Sequence, residues 1–172
     1  MSEKVLFYFV FVLYFLETIM EDKMESVRII EIPDCKMISS GIGNFGEGKF
    51  KIFEEYFTSL PPTIFPNDFL FWDNGENGEG GFHWLYLYDK NMDVPKELSI
   101  IDFKGGLYSV VTAIDQQDNS EAMKVRDAYL ESHNLEIDSS RLELGNIGTG
   151  PLGKEILGFE QMNYYTPIKK KE

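Results

Sequence analysis

The sequence predicts an α+β domain made of two strand–helix–strand–strand modules. Their antiparallel sheets stand side by side, each with one helix, and a ligand cleft lies where the halves meet. Three observations carry this. The spacing of apolar residues switches between the two-residue strand period and the helical period, and it does so in the same order twice. The chain of 172 residues has the length of one domain with a sizeable core. Turn-forming Gly, Pro, Asn and Asp clusters separate the periodic stretches. Residue identity between the halves is low, so the duplication rests on element order.

Residues 1–25 form an apolar N-terminal extension ahead of a domain spanning 26–172. Val5 to Leu16 is an unbroken apolar run, shorter than the roughly 20 residues a spanning helix needs. Met-Ser-Glu-Lys carries no net charge, and no small-residue cleavage site follows, so the run does not read as a signal peptide. Three readings stay open: an added packing element, a dimer contact, or an extension ahead of a true start at Met20 or Met24.

Ser26 to Gly43 reads as two strands with a bend at Pro33-Asp34. From Gly46 to Leu60 the period changes: Phe50, Phe53, Phe57 and Leu60 share a helical stripe, which Pro61-Pro62 ends. Asp68 to Trp72 and Phe82 to Tyr88 are strands joined by a loop of turn residues, which makes a hairpin. On the second strand Phe82, Trp84, Tyr86 and Tyr88 share one face, and His83, Leu85 and Leu87 the other. Leu98 to Ile114 is a strand broken at Gly105-Gly106, a bulge or sharp bend. Asp118 to His133 is a helix, with Asp118-Asn119-Ser120 supplying capping oxygens. Arg141 to Ile147 and Ile156 to Ile168 complete the pattern as strands.

Composition excludes several functions. A net charge of −13, from 29 acidic and 16 basic side chains, argues against direct nucleic-acid binding, because phosphates would be repelled. The terminal Lys169-Lys170-Lys171 reads as a solvated tail. One cysteine, Cys35, rules out an internal disulfide framework and suits a reducing, cytoplasmic compartment. No Cys/His cluster has metal-ligand spacing, no cofactor motif is present, and neither His83 nor His133 has an obvious serine nucleophile beside it. No apolar stretch points to membrane insertion.

Candidate chemistry centres on Arg141-Leu142-Glu143-Leu144-Gly145-Asn146-Ile147, where Glu143 is expected inside a buried strand. A carboxylate there loses water and needs a positive partner. Arg141, on the same face, is one such partner; a cationic ligand is the other. Aromatic residues make up 15 % of the chain, and aromatic faces attract lipophilic cations. Trp84, Tyr108 and Phe159 are expected at the midline pocket beside Glu143, with Phe71 and Tyr86 in the surrounding aromatic stripe. Such a stripe is more commonly core than pocket, and at least half of these rings are expected to be core.

Ile101-Asp102-Phe103-Lys104-Gly105-Gly106-Leu107-Tyr108, then Leu142-Glu143-Leu144-Gly145, then Leu157-Gly158-Phe159-Glu160 and Tyr165-Thr166-Pro167-Ile168 follow one another in the second half. With Phe65-Pro66-Asn67-Asp68-Phe69 and Gly81-Phe82-His83-Trp84 in the first half, this order resembles the gyrase-inhibitor-like (GyrI-like) small-molecule-binding domain, nearest the effector-binding domain of AraC-type bacterial regulators. The resemblance implies the duplicated fold, and a pocket for lipophilic cations whose acidic residue falls at Glu143. It covers Ser26 to Ile168, and the roughly 25 residues before it leave no room for the DNA-binding helices of those regulators. The expected function is therefore a stand-alone, non-enzymatic module that binds or senses a hydrophobic, cationic small molecule, alone, as a homodimer or through a protein partner. Two alternatives stand beside it: a small-molecule hydrolase using the pocket carboxylate as general base, and an acidic protein-interaction inhibitor.

Overall fold

The computed structural model describes residues 26–63, 67–75 and 79–172; the run from Val5 to Leu16 lies outside them. The first half comprises β1 (Arg28–Ile32), β2 (Cys35–Gly43), α1 (Gly48–Ser59), β3 (Asp68–Asp73) and β4 (Gly81–Leu87). The second comprises β5 (Ser99–Phe103), β6 (Gly106–Ile114), α2 (Ser120–Ser132), β7 (Leu135–Ile137), β8 (Leu144–Ile147), α3 (Pro151–Leu157) and β9 (Gln161–Lys170). The α+β class and the duplicated order are those the periodicity predicts. No helix among the described residues is long and apolar enough to cross a membrane.

The halves exchange their first strands. One antiparallel sheet has the order β3-β4-β2-β5, so β5 of the second half closes the first sheet. In the other, β1 pairs with β6, β6 with β9, and β8 and β7 lie in turn along β9. The duplication is plainer in burial than in residue identity. β1 and β5 are each five residues long with the same succession of exposed and buried positions, and β2 and β6 are each nine, alike over their first six.

Gly105-Gly106 explains itself at the crossing of these repeats. A Cβ on Gly105 would strike the Ile32 carbonyl oxygen, and one on Gly106, at φ 139°, would strike the Arg141 guanidinium. Only glycine lets the β5–β6 turn lie against the β1–β2 turn. The Gly105 N–H donates to Asp34 Oδ1 at 2.8 Å and ties the two turns together.

Strand pairing assigns the faces. Asp68, Leu70 and Trp72 of β3 stand opposite Tyr86, Trp84 and Phe82 of β4, and paired residues share a face. That face receives α1. Phe50 and Phe53 are buried, and the Trp84 ring lies 5.3 Å from Phe53 and 4.6 Å from Phe57. Burying each phenylalanine contributes about 1.5–3 kcal/mol, which is what holds the helix down. The faces turned away from the helices form the central core: Ile32, Met37, Leu85, Phe103, Tyr108 and Leu144. Phe69 and Tyr165 join the halves there, edge to face at 5.3 Å.

Three expectations for the second half need correction. Strand geometry starts at Leu144, because Asp138 to Arg141 forms a turn in which the Arg141 N–H donates to the Asp138 carbonyl at 3.2 Å. Residues 151–157 are helical: Pro151 opens α3, and Gly158, left-handed at φ 77°, closes it. At α2, Asn119 sits at the cap position without a side-chain cap bond; Asp118 Oδ1 accepts the Ser120 N–H at 3.0 Å instead.

Candidate ligand groove

The edge strands β3 and β8 run side by side at the junction of the halves. Their approach is set by Gly145, where a Cβ would sit 2.9 Å from the Leu70 carbonyl oxygen and 2.5 Å from Met162 Cε. Along this seam opens a groove of about 850 Å³. Phe45, Phe57, Leu70, Trp72, Phe82 and Trp84 line it from the first half, and Ile147, Met162 and Tyr164 from the second. The strand residues among these lie on the helix-side faces of their sheets, as strand parity dictates, and Phe45 and Phe57 close over them from the loop and helix. At its floor, Asn146 Oδ1 accepts bonds from Asn163 Nδ2 at 3.0 Å and from the Tyr165 hydroxyl at 3.2 Å. This half-buried polar knot fixes β8 on β9.

The charged residues lining the groove are Asp68, Asp115, Glu143 and Glu160; no Lys, Arg or His lines it among the described residues. Glu160 has a local partner, Lys154 Nζ at 3.1 Å. Asp68 is the carboxylate set deepest. It is half-buried, and its Oδ2 accepts the Trp84 indole N–H at 2.9 Å. Burial pushes its pKa above the ordinary 3.8, with the indole bond opposing. The arrangement is an acid desolvated in an aromatic wall, which a cation would stabilise.

Three of the six residues expected from sequence line the groove: Glu143, Trp84 and Phe71. Glu143 is placed differently from expectation. It is exposed, one residue ahead of β8, rather than sunk in a strand. Nor is Arg141 its partner. That guanidinium bonds Asp138 Oδ2 at 2.8 Å and the carbonyls of Gly105, Leu107 and Ile168 at 3.2, 3.0 and 2.9 Å. The Ser140 hydroxyl and Arg141 hold the Asp138 carboxyl well below the usual range.

Tyr108 is fully buried in the central core, under Arg141 at 4.9 Å from its ring centroid, because its β6 position faces away from the helices. Tyr86 is also core, packed on Phe57 at 5.7 Å beneath α1. Phe159 falls in the α3–β9 connection, off the groove wall. Sequence reasoning missed Asp68 and Trp72. The signal was there: in Asp68-Phe69-Leu70-Phe71-Trp72, strict alternation places the acid on the face of the β4 aromatic stripe.

The histidine expectation is also corrected. His83 Nε2 lies 2.7 Å from Ser39 Oγ, and Nδ1 lies 3.3 Å from Asp73 Oδ2. Serine and histidine are distant in sequence, and only β2–β4 pairing brings them together.

No protein-family model matches the chain, and no curated protein matches it in sequence. The fold, however, is shared. The chain is similar in structure to a hydrolase from Listeria innocua, with 8% identity, a TM-score of 0.61, and coverage of 84% of this chain and 92% of that one. EcmrR in its complex with DNA aligns at 11% identity and a TM-score of 0.58, over 98% of this chain and 68% of that one. The EcmrR C-terminal domain aligns at 12% identity and a TM-score of 0.55, over 84% and 97%. At such identities the likeness is one of fold.

Proposed function

We propose that the protein is a small-molecule-binding module whose groove takes a hydrophobic, cationic ligand with aromatic character. The observation that carries this is Asp68, a carboxylate with its pKa raised by burial, hydrogen-bonded to the indole of an aromatic wall that has no basic side chain among its described residues. Asp68 is the counter-charge, Trp84, Trp72 and Phe57 are the stacking surfaces, and Glu143 steers cations at the rim. A groove of about 850 Å³ has the capacity of sites for drug-sized ligands.

The motif order that resembles GyrI-like effector domains, and the fold shared with the C-terminal domain of EcmrR, support a sensing role related to regulator effector domains. With a net charge of −13, the module would report its ligand through a protein partner rather than by touching nucleic acid, and a free, half-buried Cys35 suits cytoplasmic action. The test is a thermal-shift titration with malachite green, a cationic triaryl dye, and its neutral leuco form. The dye raises the melting temperature and the leuco form does so less; equal shifts for both would overturn the cationic assignment.

A further inference from the structure

Behind the groove wall is a cluster that the ligand reading does not use. Ser39, His83 and Asp73 lie on β2, β4 and the end of β3, and their polar atoms form a chain. The proton positions follow from chemistry. Asp73 Oδ1 already accepts the Gly75 N–H at 2.9 Å, and its carboxyl is held below the ordinary range first by that bond. An ionised carboxylate only accepts, so the bond to Oδ2 at 3.3 Å puts the proton on His83 Nδ1. In the neutral imidazole Nε2 then carries a lone pair, and Ser39 Oγ, 2.7 Å away, donates to it. That is a serine aligned on a general base, itself oriented by a half-buried acid.

Two backbone features add to this. Between β2 and β4 the register slips, with Ser39 opposite Leu85 but Ile42 opposite His83. The bulge turns the Gly41 N–H, at φ 68°, onto Ser39 Oγ at 3.0 Å, a bond that fixes the oxygen and leaves its own proton for His83. Phe71 is common to both places: it lines the groove and stacks on His83 with 5.1 Å between centroids.

We propose that Ser39, His83 and Asp73 are a nucleophilic triad that accepts the acyl group of a small activated ester entering from the groove past Phe71. Ser39 Oγ forms a bond to the acyl carbon as its proton passes to His83 Nε2; the ester C–O bond breaks, and the leaving alkoxide takes that proton. Water repeats the sequence, giving the carboxylic acid and restoring Ser39. Ser39 is only 4% exposed, so the acyl group must be small and turnover waits on movement of the Phe71 ring.

The test uses the full chain with p-nitrophenyl acetate as substrate and a short alkyl fluorophosphonate as label, the adduct being located by peptide mass spectrometry. The expected result is a single adduct on Ser39. Hydrolysis falls at least about 100-fold in Asp73→Asn, which keeps the side-chain shape but reverses the tautomer. Phe71→Ala labels faster than wild type. Malachite green binding is retained in Asp73→Asn, so failure here is separable from failure of the groove reading. If Asp73→Asn melts below the assay temperature, Ser39→Ala takes its place with the same expected loss. A wild-type protein that gains no adduct on Ser39, or a folded Asp73→Asn that hydrolyses at the wild-type rate, overturns the proposal.

Discussion

Replacing Asp68 by Asn removes the groove's deepest charge while leaving an oxygen to accept the Trp84 indole bond, whose length is 2.9 Å. A cation about 4 Å from the carboxylate gains about 4 kcal/mol at an effective dielectric near 20. Part of that is offset because the ligand also leaves water, and a charged hydrogen bond or close ion contact nets about 1.5–3 kcal/mol. Asp68→Asn should therefore weaken malachite green by roughly 10- to 150-fold in Kd, and its neutral leuco form little. Glu143→Gln, at an exposed position, is expected to cost about 0.2–1 kcal/mol, at most about fivefold. Both tryptophans, Trp72 and Trp84, line the groove, so quenching of intrinsic fluorescence reads binding at this site. Equal losses for dye and leuco form in Asp68→Asn, or a larger loss in Glu143→Gln, would refute the placement of the counter-charge.

Because the Asp68 pKa is raised, dye affinity should fall as pH drops through that raised value, above the ordinary 3.8, since the neutral acid has no charge to pair. The same desolvation penalises the unliganded protein when Asp68 is ionised, so Asp68→Asn should raise its melting temperature at neutral pH, as calorimetry would show. Arg141→Ala strands three backbone carbonyls and should cost about 3–5 kcal/mol, read by urea titration. With Arg141 in place, the depressed Asp138 pKa contributes stability present above pH 3.8 and lost as pH falls toward the native value; in Arg141→Ala this acid sensitivity should shrink. Gly145→Ala presses a methyl against the Leu70 carbonyl and should lower stability by about 1–3 kcal/mol and reduce dye binding, because the seam itself must open.

Much of the fold was legible in local text. The Phe50–Phe53–Phe57 stripe, the Pro61-Pro62 stop, the Gly105-Gly106 bend and the alternation in β4 are short-range signals, and the chain obeys them. Pro151 and Gly158 were equally readable as the start and stop of a helix; Ile156 and Leu157 were read as the start of the last strand because a seven-residue helix is too short to show its period.

The lining of the candidate groove was legible in part. An acid set among aromatic rings was foreseen, yet Asp68 rather than Glu143 is the one drawn from water, and Tyr108 and Tyr86 went to the core. The sequence alone determined the periods, the breaks and the excess of acid, because each arises from the steric and electrostatic preferences of neighbouring residues. Only the tertiary structure decided which face of each strand met a helix, which edge strands formed the seam, and that Ser39 would meet His83. Those outcomes depend on exchange of β1 and β5 between the sheets and on pairing register, which bring together residues far apart in the chain and leave no trace at short range.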